Sequence, residues 1–474
     1  MALTKASYSM ITGSVVNVFD FMTAAMIADV QARTVAVDTT TSIQAAINSL
    51  GATGGVVRLP KGRYLTTAKI TLPTGVSLIG DGMFGGTGAY DQGTTTIYGN
   101  HNGTAILSLV GSVSCMVSDL CLQTAAVRPF PQSGLLLGRN TAASAGYHKV
   151  IRVSVYGNTD VAHVYSIASE DNYWEDLNIW NYAQGNALNC FYTSIGNSNV
   201  AMTEPLVTSS NLDNVFVRFW FTNANPNANT SCLYLDNAEG MGSWSFYGGY
   251  CTAAGGSYVT IANGAIESLS ALGPFTFVGF NGERLAGGDP LYGFNLTCGA
   301  VGLQLRGLFI SGARLDFQAG TNHYQIYQNP NLTLLAPNIV IQPPEAFPYA
   351  LTDINRSQVL GGIISVGRQY AWTSITLASS WANTFGAPYA QAGYCIDPTG
   401  VVRMRGQVIR SIAGSTLMFT LPSSARPAID MFFSTGVGTG AGTILVNSST
   451  GAVTLFAGTV TDAVDLTPIQ FNFL

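Results

Sequence analysis

Charged side chains are so scarce in this sequence that individual acids can be weighed one at a time. Charged residues make up 9% of the 474 positions, against roughly 25% in an ordinary soluble domain. In the middle of the chain the acids to weigh are Asp171, Glu175, Asp176, Glu204, Asp213, Asp236, Glu239, Glu267, Glu283 and Asp316. Two carboxyl groups about 5 to 9.5 Å apart can work on a glycosidic bond, one as acid and the other as base or nucleophile. Asp176 and Asp213 stand at or beside the starts of short apolar runs, where Asp caps turns. Glu175, Glu239 and Glu283, with Asp236, are the remaining catalytic candidates, although Glu283 is followed by Arg284, which offers a plain ion pair. No motif fixes a pair.

Aromatic residues crowd the same region. Trp174, Trp180, Trp220 and Trp244 fall within 71 residues, accompanied by Tyr173, Tyr182, Tyr192 and Tyr247. Sugar C–H faces pack on such rings. Tyr173-Trp174-Glu175 sets an aromatic face beside an acid, so Tyr173, Trp174, Trp180, Trp220 and Trp244 are the glycan-binding candidates. His101, His148, His163 and His323 lack ligand spacing, and the seven cysteines contain no C-x-x-C pair. Neither a metal nor another cofactor is expected. Buried, reduced thiols are the simpler reading.

The elements that must carry these residues change character along the chain. Thr41-Ser42-Ile43-Gln44 fits a capping box, with Ile43, Ala46, Ile47 and Leu50 on one helix face and Gly51 as a left-handed stop. A second short helix is expected from about Thr23 to Ala32. From Gly55 the period becomes two, with Pro60-Lys61-Gly62 and Pro73-Thr74-Gly75 as turns.

A weak repeat follows. Asp119-Leu120-Cys121-Leu122, Arg152-Val153-Ser154-Val155, Asp176-Leu177-Asn178-Ile179 and Asn214-Val215-Phe216-Val217 look alike, at spacings of 33, 24 and 38 residues. Strand and turn at that drifting period predict an all-β solenoid, a right-handed single-stranded parallel β-helix. The β-helix domain is expected over 38–366, and its coil, from about 55 to 365, would hold about a dozen rungs and run about 55 Å. Inward columns of apolar side chains explain the low charge. Residues 1–37 read as an anchor and cap segment, and 367–474 as an antiparallel β-sandwich with Asp397-Pro398-Thr399-Gly400 as a hairpin turn.

Composition excludes other classes. Forty-seven per cent hydrophobic residues, with 23 Phe, 21 Tyr and 6 Trp, argue against disorder. A net charge of −5 with no Lys/Arg run argues against a nucleic-acid partner. No apolar run long enough for a membrane span occurs, and the start lacks the layout of a secretory signal.

Several segments together resemble the pectate-lyase-like phage tailspike family. Ser7-Tyr8-Ser9-Met10-Ile11-Thr12-Gly13 with Val16-Asn17-Val18 resembles its lead-in, and Ile43-Gln44-Ala45-Ala46-Ile47 its capping helix. Gly54-Gly55-Val56-Val57-Arg58-Leu59-Pro60-Lys61-Gly62-Arg63-Tyr64 and Pro73-Thr74-Gly75-Val76-Ser77-Leu78-Ile79-Gly80-Asp81-Gly82 resemble its first rungs. Residues 393–427, with Leu421-Pro422 and Arg426-Pro427, resemble the terminal sandwich of tail fibres. The stretch after Asp20-Phe21 departs from the family pattern. The resemblance implies a homotrimer in the virion tail, made in a host cytoplasm. Its N-terminus would meet other phage tail proteins, and its ligand would be a bacterial surface polysaccharide, O-antigen or capsule. It implies hydrolysis or elimination of that polysaccharide. The alternative is a non-enzymatic receptor-binding fibre, with the β-helix as spacer and the sandwich as grip.

Overall fold

A computed structural model describes residues 15–84, 93–140, 145–182, 186–194, 203, 213–236, 242–263, 273–285 and 290–298. It also describes short stretches between 303 and 366, and 372–384, 391–396, 401–410, 416–437, 440–457 and 463–472. The chain divides into two compact units, Met1–Gly362 and Ile363–Leu474.

The first unit is a parallel β-helix. One long sheet stacks Val15–Asn17, Gly55–Arg58, Val76–Ile79, Met116–Thr124, Lys149–Gly157 and Tyr173–Asn181, all parallel. A second parallel sheet stacks Ala105–Val110, Ser133–Gly138, Ala162–Ile167, Asn189–Ser194, Ser231–Asp236, Ser257–Asn263 and Tyr292–Cys298. The chain alternates between the sheets, so each circuit lays one new strand on each. The stack begins earlier than the first rung-like run of sequence, because Val15–Asn17 already pairs with Gly55–Arg58.

Stacking rungs places like on like. In the second sheet Leu107, Leu135, Val164, Phe191, Leu233, Val259 and Phe294 follow one another in register and are all buried. In the first sheet the inward column is aromatic. Trp174 stacks on Phe216 at 5.3 Å, Phe216 on Phe246 at 4.9 Å and Phe246 on Phe277 at 4.5 Å. The rung rise of about 4.8 Å is close to the stacking distance of rings, so one aromatic per rung fills the core without strain. Asparagines form similar ladders: Asn172 Nδ2 donates to Asn214 Oδ1 at 2.9 Å, and Asn181 Nδ2 to Asn223 Oδ1 at 3.0 Å. A charge in such a column would face another charge or a desolvated ring, which keeps charges on the outer bends.

The sequence repeat marks one such bend. Asp119, Arg152, Asp176 and Arg218 have φ of 56, 52, 50 and 51°, and Gly248 and Gly279 continue the column at 64° each. A non-glycine residue there costs roughly 1–2 kcal/mol. Alternating charge offsets part of this: Arg152 Nη2 meets Asp119 Oδ2 at 2.8 Å, and Arg218 Nε meets Asp176 Oδ1 at 2.8 Å. The first three sequence copies lie in true register, Leu120 with Val153 and Val153 with Leu177. The fourth does not. Val215–Val217 pairs with Tyr173–Glu175, and the true fourth copy starts at Arg218, with Trp220 opposite Asn178.

The N-terminal helices also differ in detail. Helix α1 spans Ala24–Ala32, with Thr23 Oγ1 accepting from the Met26 N–H at 3.3 Å. Val30 is wholly buried, whereas Met26 and Ile27 are half-buried. Gly62 permits the close approach of this helix, since a Cβ there would lie 2.5 Å from Val30 Cγ1. Helix α2 spans Thr40–Asn48, so no capping box forms at Thr41. Asp38 Oδ1 accepts from the Thr40 N–H at 3.0 Å instead. The Gln44 amide is committed to the strand at Thr71, donating to its C=O at 3.0 Å and accepting from its N–H at 2.9 Å. The helix ends in a right-handed residue, Ser49, rather than at Gly51.

Two buried histidines make the coil acid-sensitive. Burial draws the pKa of His148 and His163 from 6.5 down to about 4. The unfolded chain therefore takes up protons first as pH falls. Their contribution is complete above about pH 6.5 and is lost towards pH 4, at up to roughly 1.4 kcal/mol per pH unit for each. The denaturant midpoint should fall between pH 7.5 and 4.5; a midpoint unchanged over that range contradicts the burial of neutral imidazoles.

The second unit has two antiparallel sheets. One holds Thr373–Ser374, Gly393–Ile396, Val401–Arg405 and Gln470–Asn472; Met431–Val437, Gly440–Val446 and Ala452–Ala457 lie in the other. Met404, Val408, Met418, Ile444, Val446, Val453, Val464 and Ile469 form its buried core. Strands Val401–Arg405 and Gln407–Arg410 are separated at Gly406, whose φ is +95°. The turn at 397–400 lies outside the described residues, although Ile396 and Val402 are paired across it.

Candidate functional site

The outer side of the αL bend is where exposed rings and charges meet. Strands Tyr173–Asn181, Trp220–Asn223 and Tyr250–Ala253 are neighbours, which puts Asn178, Trp220 and Tyr250 in one outward column. Trp220 is 48% exposed, and its ring meets the edge of Tyr250 at 5.4 Å and 77°. Phe84, more than half exposed, lines the same cavity with Asp176, Asn178 and Arg218. The cavity has a volume of about 480 Å³. Beyond it Trp180 is half-buried against Tyr156 at 5.7 Å, and Tyr182 is exposed beside both.

Arg218 ties the acids of this bend together. Its Nε and Nη2 bond both oxygens of Asp176, at 2.8 and 3.0 Å, and Nη2 also bonds Glu175 Oε1. The Tyr173 hydroxyl donates to Glu175 Oε2 at 3.0 Å. These bonds to Asp176 and Glu175 push the guanidinium pKa up, fixing its positive charge. Since both carboxylates accept from one nitrogen, oxygens of the two lie within about 6 Å of each other. The cavity thus offers flat apolar surface, an amide, a carboxylate and a cation, with a second carboxylate, Glu175, bonded to that cation.

The sequence candidates separate in space. Trp220 lines this cavity, Glu175 is tied to it through Arg218 and Tyr173 through Glu175, and Trp180 lies beyond. Trp174 and Trp244 do not line it: both are fully buried, and Trp174 is a rung of the inward aromatic ladder, with Trp244 against Phe216 at 5.9 Å. Their period-two position faces the core, so neither ring can touch a glycan. Asp236 is fully buried on the second sheet, where it accepts from the Tyr192 hydroxyl. Its charge and burial push the Tyr192 pKa up. Shut off from solvent, it cannot flank a bound sugar chain. Glu283 is exposed, but it sits three rungs beyond Glu175, about 14 Å along the stack. Those two do not flank one bond. Glu239 lies outside the described residues. Six of the cysteines are buried thiols. Among the described residues no group of three His, Cys, Asp or Glu could hold a metal, and no helix is long and apolar enough to cross a membrane.

Arg218, Tyr250, Asn178 and Phe84 are site residues that sequence reasoning missed. Reading the fourth repeat at Arg218-Phe219-Trp220-Phe221 would have set Arg218 in the column of Arg152 and Trp220 on the outer face.

Residues 33–238 match the family model for rhamnogalacturonase A/epimerase, pectate lyase-like. No curated protein matches the sequence. Among solved structures, the chain is similar to ORF18 of Geobacillus virus E2, at 14% identity and a TM-score of 0.45, over 96% of this chain and 79% of that one. It is similar to the full-length tailspike protein 2 of Escherichia coli O157:H7 bacteriophage CAB120, at 12% and 0.46, over 98% of this chain and 63% of that one. It is also similar to a tailspike of Acinetobacter baumannii bacteriophage Fri1, described as a capsular polysaccharide depolymerase, at 13% and 0.41, over 98% and 88%.

Proposed function

Taking residues 33–238 as a pectate-lyase-like coil, we propose that this chain is a phage tail protein that binds a bacterial surface polysaccharide along its outer wall. The carrying observation is the exposed Trp220 ring, braced by Tyr250 above a cavity lined by Asp176, Asn178 and Arg218. A pyranose presents an apolar C–H face and a rim of hydroxyls. The rings receive the face, and the amide, carboxylates and guanidinium receive the rim. The rungs hold these groups on rigid strands, which lowers the entropy cost of binding. The sequence resemblance supports a trimeric assembly in the virion tail. The test is retention of purified capsular and O-antigen polysaccharides by the intact protein, weakened by Trp220→Ala.

A second reading, cleavage of the bound chain, is favoured by one observation: Glu175 and Asp176 both bond one nitrogen of Arg218, so two carboxyl groups stand close together beside the cavity, and glycosidases work with such a pair. If they act on the bond, Glu175→Gln and Asp176→Asn should each lower oligosaccharide release by about 10²–10⁴-fold with binding retained. Binding without released oligosaccharide from the unaltered protein leaves the receptor-binding reading alone.

A further inference from the structure

The second sheet carries another cavity, away from the aromatic wall, with different chemistry. Its volume is about 550 Å³, within the range of small-ligand sites. Two outward columns floor it: Asn189, Ser231, Ser257 and Tyr292, and Tyr192, Tyr234, Thr260 and Asn295, each in register across four rungs. Tyr192 is buried with both faces stacked, on Tyr165 at 5.1 Å and on Tyr234 at 5.4 Å, so the half-buried Tyr234 supplies the aromatic flank. Ser231 Oγ and Thr260 Oγ1 lie 2.7 Å apart.

Two acceptors there are unsatisfied. Asn189 is 7% exposed, and its Oδ1 has no hydrogen-bond partner among the described residues; neither has the buried Oδ1 of Asn295. A buried amide oxygen without a donor is costly, and a donor supplied from outside relieves it. Among the described residues the one charged member of the lining, Asp160, is neutralised by Arg128 through bonds of 2.9 and 3.0 Å, and no cation lines the cavity. A carboxylate ligand would therefore be desolvated without a counter-charge.

We propose that this cavity is a second carbohydrate site, selective for a short neutral oligosaccharide lying along the stack, with hydroxyls of one unit donating to Asn189 and those of another to Asn295, three rungs or about 14 Å away, while a sugar ring packs on Tyr234. It is separate from the Trp220 wall and does not depend on it. The test is saturation-transfer NMR and titration of the full chain with the methyl glycosides of linear trisaccharides of glucose, galactose, mannose and glucuronic acid. A neutral glycoside should bind in the millimolar range, and the glucuronide at least about 10-fold more weakly. Asn189→Leu and Asn295→Leu should each weaken the neutral ligand by about 10-fold or more. Trp220→Ala should leave it unchanged. Asn295 is only half-buried, so its variant decides the matter if Asn189→Leu folds poorly. No transfer from any neutral glycoside, equal binding of the glucuronide, or binding indifferent to a folded Asn295→Leu overturns the proposal.

Discussion

Replacing Trp220 by alanine is expected to weaken polysaccharide binding by about 10- to 100-fold while leaving unfolding nearly unchanged. The ring is half exposed and touches the protein mainly through Tyr250, at 5.4 Å. It contributes little to the core, so its loss opens no cavity. A bound sugar would lose its flat partner, a loss of about 1.5–3 kcal/mol. That range converts to the stated factor. Titration calorimetry against a retained polysaccharide measures it. A loss under twofold, or a large fall in the unfolding midpoint, contradicts the placement of this ring.

Phe246→Ala should do the reverse. Phe246 is 1% exposed and lies between Phe216 at 4.9 Å and Phe277 at 4.5 Å. Truncation removes one step of the ladder and leaves a void between rigid rungs that cannot collapse, a cost of about 3–5 kcal/mol. Rungs contact only their neighbours, so the damage should be local: amide exchange should quicken first in Val215–Val217 and Phe275–Val278. Binding at saturating protein stability should persist. A midpoint change equivalent to less than 1 kcal/mol contradicts an inward ladder at this position.

The contrast between these two aromatics shows what the sequence made legible. Period-two runs, turn residues and a drifting repeat sufficed for a parallel coil, because stacking demands the same side-chain character at the same place in each rung. Register was harder. From Arg218 onward the long strand splits into two short ones around an αL residue, so Asn214-Val215-Phe216-Val217 imitates the later half of a rung while occupying the earlier half. That four-residue slip kept Arg218 hidden as the partner of Glu175 and Asp176. It also left Trp174 and Trp220 indistinguishable by type, although one faces the core and the other the solvent. The capping box failed for a tertiary reason: the Gln44 amide serves Thr71, a partner invisible to local pattern. Asp236 looked like any scarce acid until its burial under Tyr192 was seen.

Which surface holds the polysaccharide can be decided by one comparison. The second unit offers its own exposed rings, Phe432 and Phe456, packed edge to face at 5.4 Å. An array of purified capsular and O-antigen polysaccharides should be probed with the intact chain, with Trp220→Ala/Tyr250→Ala and with Phe432→Ala/Phe456→Ala. The outer-wall account predicts that the first double variant loses the bound polysaccharides and the second retains them. Retention by the wall variant, with loss in the Phe432/Phe456 variant, contradicts it.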